Sequence, residues 1–177
     1  MQTYAKSAVR MTDKSAAIRS AAFAINWRAP VIAAGEIEVK AAPEVIWDIM
    51  TDVETWPDWN PDVTSVSISG RMSAGKTFTW KSGPGEITST VQELQKPWFL
   101  GWTGKMLGIK AAHIWQIIPS DGKTLVRTEE SWDGWVVRVL RGLMQKNAGK
   151  EHGEWIAKLE DRSGTDQPVE FLRKDDE

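Results

Sequence analysis

Residues 109–133 read IKAAHIWQIIPSDGKTLVRTEESWD, which is two alternating runs around one turn. Apolar side chains recur at every second position in residues 109–118 and again, less regularly, in residues 124–133. Period two is typical of strands that bury one face. Between the runs, Pro119-Ser120-Asp121-Gly122 contains residues that favour turns. The stretch therefore predicts an antiparallel hairpin.

More strands are predicted upstream of this hairpin. Turn residues separate four candidate strands, at residues 63–70, 76–82, 86–94 and 98–105. An earlier strand is predicted at residues 36–39, where Glu36-Ile37-Glu38-Val39 alternates. Because such short connections join neighbouring antiparallel strands, we expect a meander of about seven strands in one curved sheet.

Helices are predicted at both ends of the sheet. Pro43 suits the first turn of a helix that follows strand 1, and a second short helical turn is expected before Pro57. A long C-terminal helix is expected from Trp135 or Val136 to Leu159. Its apolar residues recur at helical spacing: Val136, Val139, Leu140, Leu143, Met144, Ala148, Trp155, Ile156 and Leu159.

Strand parity assigns one set of side chains to the concave face of the sheet. Pairing Ile118 with Lys123 or Thr124 would place His113 opposite about Thr128 and diagonal to Glu130. The candidate ligand-binding residues on this face and on the C-terminal helix are Phe78, Trp80, Ile87, Val91, Leu100, Trp102, Ala111, His113, Trp115, Thr128, Glu130, Trp132, Leu140 and Met144.

Composition limits the functional classes. The chain has 177 residues, a net charge of −2 and 41% hydrophobic residues, which fits one globular domain. No apolar run is long enough to span a membrane, and the charge argues against a nucleic-acid binder. Without cysteine, and with only His113 and His152, neither a metal site nor a cofactor is expected. The 11 tryptophans are an unusual surplus.

The two ends differ in charge from the middle. Residues 1–34 are predominantly basic and residues 160–177 predominantly acidic. We expect a basic N-terminal extension over residues 1–34, with a helix between Lys14 and Trp27, a domain over residues 35–160 and an acidic polar tail over residues 161–177. The extension could simply pack on the domain or fray, or it could contact a membrane surface weakly.

Four segments resemble one known family: Ala42-Pro43-Glu44-Val45-Ile46-Trp47, Asp52-Val53-Glu54-Thr55-Trp56-Pro57-Asp58-Trp59-Asn60-Pro61, Gly104-Lys105-Met106-Leu107-Gly108 and Glu130-Ser131-Trp132-Asp133-Gly134. They resemble the polyketide cyclase/dehydrase family of the START-like (SRPBCC) superfamily. The resemblance implies an α+β helix-grip fold, in which a curved antiparallel sheet wraps a long C-terminal helix around a deep apolar cavity.

Two functions are compatible with this pattern. The first is binding of a lipid-, sterol- or polyketide-like molecule in a tryptophan-lined cavity, although the tryptophans could instead fill a core. The alternative is a cyclase or dehydratase, with His113 and Glu130 as catalytic acid and base; the same pair could merely orient a ligand. A lipid carrier that docks through its N-terminal segment is a third possibility. We expect a cytoplasmic protein.

Overall fold

The sheet is an uninterrupted antiparallel meander. The computed structural model describes residues 22–83 and 85–164, and within them the strand order is β1-β7-β6-β5-β4-β3-β2. The predicted meander is confirmed. The strands are β1 (Val31–Val39), β2 (Val63–Ile68), β3 (Thr77–Ser82), β4 (Gly85–Gln95), β5 (Phe99–Met106), β6 (Ile109–Ser120) and β7 (Lys123–Asp133).

Helices cover one face of the sheet, here called the inner face. After β1 come α1 (Pro43–Thr51), a 3₁₀ turn (Val53–Thr55) and the short α2 (Trp56–Trp59). After β7 come α3 (Trp135–Val139) and the long α4 (Arg141–Ser163). Pro43 begins α1, where its missing N–H leaves no helical hydrogen bond unmade. Together the elements form the expected helix-grip fold.

The C-terminal helix is not continuous. The backbone departs from helical geometry at Leu140 (φ −108°, ψ 26°), which separates α3 from α4. Val137 is fully buried, whereas Val139, Leu140 and Leu143 of the predicted apolar stripe are exposed. The stripe is correct at Ala148, Ile156 and Leu159, all of which are buried. The helix also extends past Leu159 to Ser163, into the predicted tail.

Helix α4 protects the free edge of the sheet at β1. The Gln145 amide accepts a hydrogen bond from the Ile32 N–H (3.3 Å) and donates one to the Ile32 carbonyl (2.7 Å). The Arg141 guanidinium donates to the Pro30 carbonyl (3.0 Å). A side-chain amide thus replaces a pairing strand, because unpaired edge groups would otherwise be open to another chain. Gly35 allows a close approach, since a Cβ there would collide with Ile156.

The outer face is covered by the segment before β1. Ile25 is buried against Phe99 and Ile114. A Cβ on Gly101 would lie 2.5 Å from the Phe23 ring. The Phe23 N–H also donates to the Glu93 carboxylate (2.8 Å). The helix predicted over residues 14–27 is therefore wrong for residues 22–27, which form no helix; the rest of it lies outside the described residues.

Candidate functional site

Two titratable side chains lie on the inner face of the sheet. Among the strand residues that the structure describes on this face, His113 and Glu130 are the titratable ones, and the others are apolar, small or hydroxyl-bearing. The His113 Nδ1 lies 3.7 Å from a Glu130 carboxylate oxygen, and the His113 Nε2 lies 2.7 Å from the Thr128 hydroxyl. His113, Thr128 and Glu130 are here called the polar triad.

The His113 Nε2 and the Thr128 hydroxyl share one hydrogen bond, whose donor depends on the tautomer of His113. With a proton on Nδ1, which faces the Glu130 carboxylate, Nε2 would accept from the Thr128 hydroxyl. At 3.7 Å the His113–Glu130 contact is longer than a hydrogen bond, so a small movement or a bridging group would be needed to join the two.

Aromatic rings fix the orientation of the His113 ring. Its centroid lies 4.7 Å from that of Trp102 and 5.4 Å from that of Trp115, on which it stacks with 28° between the ring planes. The three residues come from β5 and β6, where Trp102 pairs directly with His113. Two buried neighbouring rings leave the imidazole few alternative rotamers, which favours a fixed polar contact.

The strand register differs from the predicted one. Ile118 pairs with Leu125 rather than with Lys123 or Thr124, so His113 lies directly opposite Glu130. Thr128 lies opposite Trp115 and is diagonal to His113. The prediction failed because the turn is only two residues long, Asp121-Gly122, and both ends of the hairpin pair fully. All members nevertheless stay on the predicted face.

One half of the inner face is filled by tryptophans. Trp56 of α2 and Trp155 of α4 meet at 5.1 Å between centroids, and both contact Trp80. The indole N–H groups of Trp56, Trp59 and Trp115 are buried there with no acceptor in the described part of the chain. Apolar packing therefore dominates this region, here called the filled half. Its predicted cavity residues are Phe78, Val91, Leu100, Trp102 and Trp115, all buried.

The other half of the inner face is less closely covered. Its strand side chains Ile87, Ile109, Ala111, Glu130 and Trp132 are partly accessible. Met144 of α4 is also partly accessible, and it packs with Ile109 and Trp132 against the buried Val137 and Ala148. This region is here called the open half. Trp80 is partly accessible as well, but through its contacts with Trp56 and Trp155 it belongs to the filled half. Gly104 and Ala111 are cross-strand partners at its centre. A Cβ on Gly104 would lie 3.3 Å from the Ile87 side chain, so glycine avoids a close contact at this position.

The structure thus divides the predicted ligand-binding set. The polar triad lies between the filled and open halves. Along the inner face of β6, His113 stands between Ala111 of the open half and Trp115 of the filled half. Along the inner face of β7, Glu130 is followed by Trp132 of the open half. Leu140, at the helix break, is exposed, so this member of the predicted set does not line a buried surface. Strand parity could not reveal Trp56 and Trp155, since both lie on helices.

Two carboxyl groups of β7, at positions that alternate with the inner-face residues, have shifted pKa values. Burial raises the pKa of Glu129, and the charge on Arg127 only partly opposes the effect. The Gly134 N–H donates to Asp133 (2.7 Å) and lowers the pKa of this carboxyl, with a further contribution from Arg138. Neither side chain points to the inner face, so neither belongs to the candidate site.

A metal-binding arrangement is not found in the described residues. No group of three or more His, Cys, Asp or Glu side chains comes together in residues 22–83 and 85–164. The described helices also include none that is both long and apolar enough to cross a membrane.

Comparison with known proteins agrees with the fold. Residues 30–163 match the family described as polyketide cyclase / dehydrase and lipid transport. No curated protein matches the chain.

Solved structures with similar folds include proteins from three bacteria. A START superfamily protein from Mycobacterium smegmatis is 20% identical (TM-score 0.66) and aligns over 75% of this chain and 96% of its own. A hypothetical protein from Helicobacter pylori is 16% identical (TM-score 0.68) and aligns over 81% of this chain and 98% of its own. The Zhui aromatase/cyclase from a Streptomyces species is 12% identical (TM-score 0.64) and aligns over 75% of this chain and 92% of its own. At these identities the likeness establishes the fold alone.

Proposed function

The chain belongs to the polyketide cyclase / dehydrase and lipid transport family, and from this premise we propose that it binds a hydrophobic small molecule in the open half of the inner face. The observation that carries the proposal is the polar triad, which interrupts an otherwise apolar surface next to accessible side chains. An apolar surface with a few fixed polar groups is typical of small-molecule sites.

The ligand would be largely apolar and would carry one hydroxyl or carbonyl group. Ile87, Ala111 and Trp132 offer apolar contact area, which supplies most of the affinity. The polar end would lie at the triad, where Glu130 accepts hydrogen bonds and His113 can donate or accept. This chemistry fits a lipid-, sterol- or polyketide-like molecule. The filled half has no comparable room, because Trp56, Trp80 and Trp155 contact one another.

A cyclase or dehydratase activity is the second candidate. The approach of His113 Nδ1 to Glu130 favours it, since an acid and a base close together can move a proton to and from one substrate. In this reaction Glu130 would take a proton from the carbon next to a carbonyl, and protonated His113 would give one to the departing hydroxyl. A Zhui aromatase/cyclase shares the fold, but not enough sequence to assign its chemistry to this chain.

Native mass spectrometry of the purified protein, followed by denaturing extraction, tests the binding proposal. We expect a discrete hydrophobic molecule to be released from the wild-type chain. Glu130→Gln should lower its occupancy by about tenfold, because the charged acceptor for the polar end is lost. Thr128→Val should also lower it, because the hydrogen bond that holds the His113 ring is removed.

Glu129→Gln is the matched control, because Glu129 is the next residue of β7 and faces the other way. Equal loss in the Glu129 and Glu130 variants would contradict the proposed site. Incubation of the extracted molecule with the protein separates the two functions. Recovery of the molecule unchanged supports binding alone, and conversion that His113→Gln abolishes supports the enzyme.

A further inference from the structure

Large apolar side chains are exposed at the end of the molecule that carries the β5–β6 hairpin. Leu107 at the tip of this hairpin is 75% exposed, and Trp135 in α3 is 71% exposed. Val139 and Leu143 follow at 73% and 57%. Core formation does not explain them, because none of the four is buried in the fold.

These four side chains, here called the apolar rim, lie on the β5–β6 hairpin and on the helices α3 and α4. The Trp135 indole lies against the hairpin, since a Cβ on Gly108 would be 2.5 Å from its ring nitrogen. Trp135, Val139 and Leu143 recur at intervals of four, which places them on one side of a helix. The spacing continues across the helix break, because the Leu140 N–H donates to the Val136 carbonyl and the Met144 N–H donates to the Leu140 carbonyl, each four residues back.

The turn that carries Leu107 is unfavourable for a leucine. Leu107 has φ 45° and is followed by Gly108 with φ 80°. The β6–β7 hairpin has the same geometry at Asp121 (φ 37°) and Gly122 (φ 81°). Aspartate tolerates the left-handed region, whereas a leucine there is uncommon. The chain thus places a leucine, in solvent, where its own second hairpin has the favourable residue.

Positive charge surrounds the apolar rim. Lys105 and Lys110 are direct cross-strand partners beside the hairpin tip, a pairing that is unfavourable for stability. Arg138 and Lys146 are exposed on the adjoining helices. Of the acids near the rim, Asp133 is bound by Arg138 (3.1 Å) and opposes Lys110, and Glu86 lies beside Lys105 at the same recess.

We propose that the apolar rim docks this protein onto an anionic phospholipid surface. Leucine, valine and tryptophan would enter the headgroup boundary, where tryptophan is favoured, and the lysines would lie against lipid phosphates. Docking would place the open half next to the membrane, because Ile109 and Ala111 begin the strand that leaves the hairpin. The proposal does not depend on which ligand, if any, the open half binds.

Co-sedimentation of the full chain with vesicles tests the proposal. We expect binding to phosphatidylcholine vesicles that contain phosphatidylglycerol, and weaker binding to pure phosphatidylcholine or at high salt. Leu107→Asn and Leu143→Gln should each lower the partition coefficient by about tenfold. Leu107→Asn should also leave the melting temperature unchanged or raise it, because asparagine accepts the turn geometry. Val45→Gln is the control, as an exposed apolar residue of α1.

Three results would overturn the proposal. One is the absence of sedimentation with either kind of vesicle. Another is binding that persists in Leu107→Asn and Leu143→Gln but disappears when Lys6, Arg10 and Lys14 are replaced by glutamine, which would assign docking to the N-terminal segment. The third is concentration-dependent dimerisation in light scattering that Leu107→Asn abolishes without any vesicle binding, which would make the rim a contact between copies of the chain.

Discussion

The two halves of the inner face are built from the same strands but are covered differently. In the filled half, α1, α2 and the C-terminal part of α4 press Trp56 and Trp155 onto the sheet. In the open half, Val139, Leu140 and Leu143 of the covering helices are exposed, and the sheet contributes the small residues Gly104 and Ala111. Tryptophan content alone therefore does not indicate a cavity, because its effect depends on what lies above each ring.

Under the proposed function, the filled half supplies stability and the open half binds the ligand. A packed aromatic cluster gains free energy from burial and from edge-to-face contacts. A partly accessible apolar surface gains little until something covers it. The polar triad lies between the two, with His113 held by the filled side and Glu130 partly accessible.

Removing a ring from the filled half should have the largest effect. Trp56→Ala should lower the free energy of unfolding by about 3–5 kcal/mol, because it leaves a cavity among Phe78, Trp80 and Trp155. Urea denaturation measures this change. Trp27→Ala is the control, since Trp27 is 57% exposed and should change stability little. Similar losses in both variants would contradict the division into halves.

Filling the open half should affect binding more than stability. Ala111→Phe should lower ligand occupancy at least about tenfold, because the ring would occupy the surface beside Glu130. The melting temperature should change little, since Ala111 is only partly buried. A loss of stability of about 1–3 kcal/mol would instead show that this region is tightly packed. Native mass spectrometry and thermal unfolding measure the two effects.

Weakening the edge contact tests whether α4 is anchored at β1. Gln145→Ala removes both hydrogen bonds to Ile32 and should cost about 1 kcal/mol. Hydrogen exchange should then be faster at the Ile32 N–H than at the amides of β6. Unchanged exchange at Ile32 would argue against the anchoring role of Gln145.

The smallest effect is expected from Glu129, outside both halves. Burial raises its pKa, so the ionised form is less favourable in the folded chain than in the unfolded one. The penalty is absent at low pH and grows as the pH rises above the ordinary value of 4.5. Glu129→Gln should therefore melt slightly higher than wild type at pH 7 but not at a pH below 4.5. A lower melting temperature for Glu129→Gln than for wild type at pH 7 would contradict a destabilising effect of the ionised Glu129.

Strand alternation predicted the fold because each strand buries one face, and the same parity correctly grouped His113, Thr128 and Glu130. The predicted register around Asp121-Gly122 was wrong, since alternation within each strand does not specify which residues pair across the turn. The break at Leu140 could not be predicted, because an apolar residue carries no signal for a helix end. Trp155 likewise fits helical spacing whether it fills a core or lines a cavity.

Methyl NMR of isoleucine-labelled protein during titration with anilinonaphthalene sulfonate, an apolar probe, tests the central claim most directly. Ile87 and Ile109 belong to the open half, and Ile46 and Ile117 to the buried core. Saturable shifts of Ile87 and Ile109, with little change at Ile46 and Ile117, are predicted. Shifts centred on Ile46 and Ile117, or no saturable shift at all, would contradict a binding site in the open half.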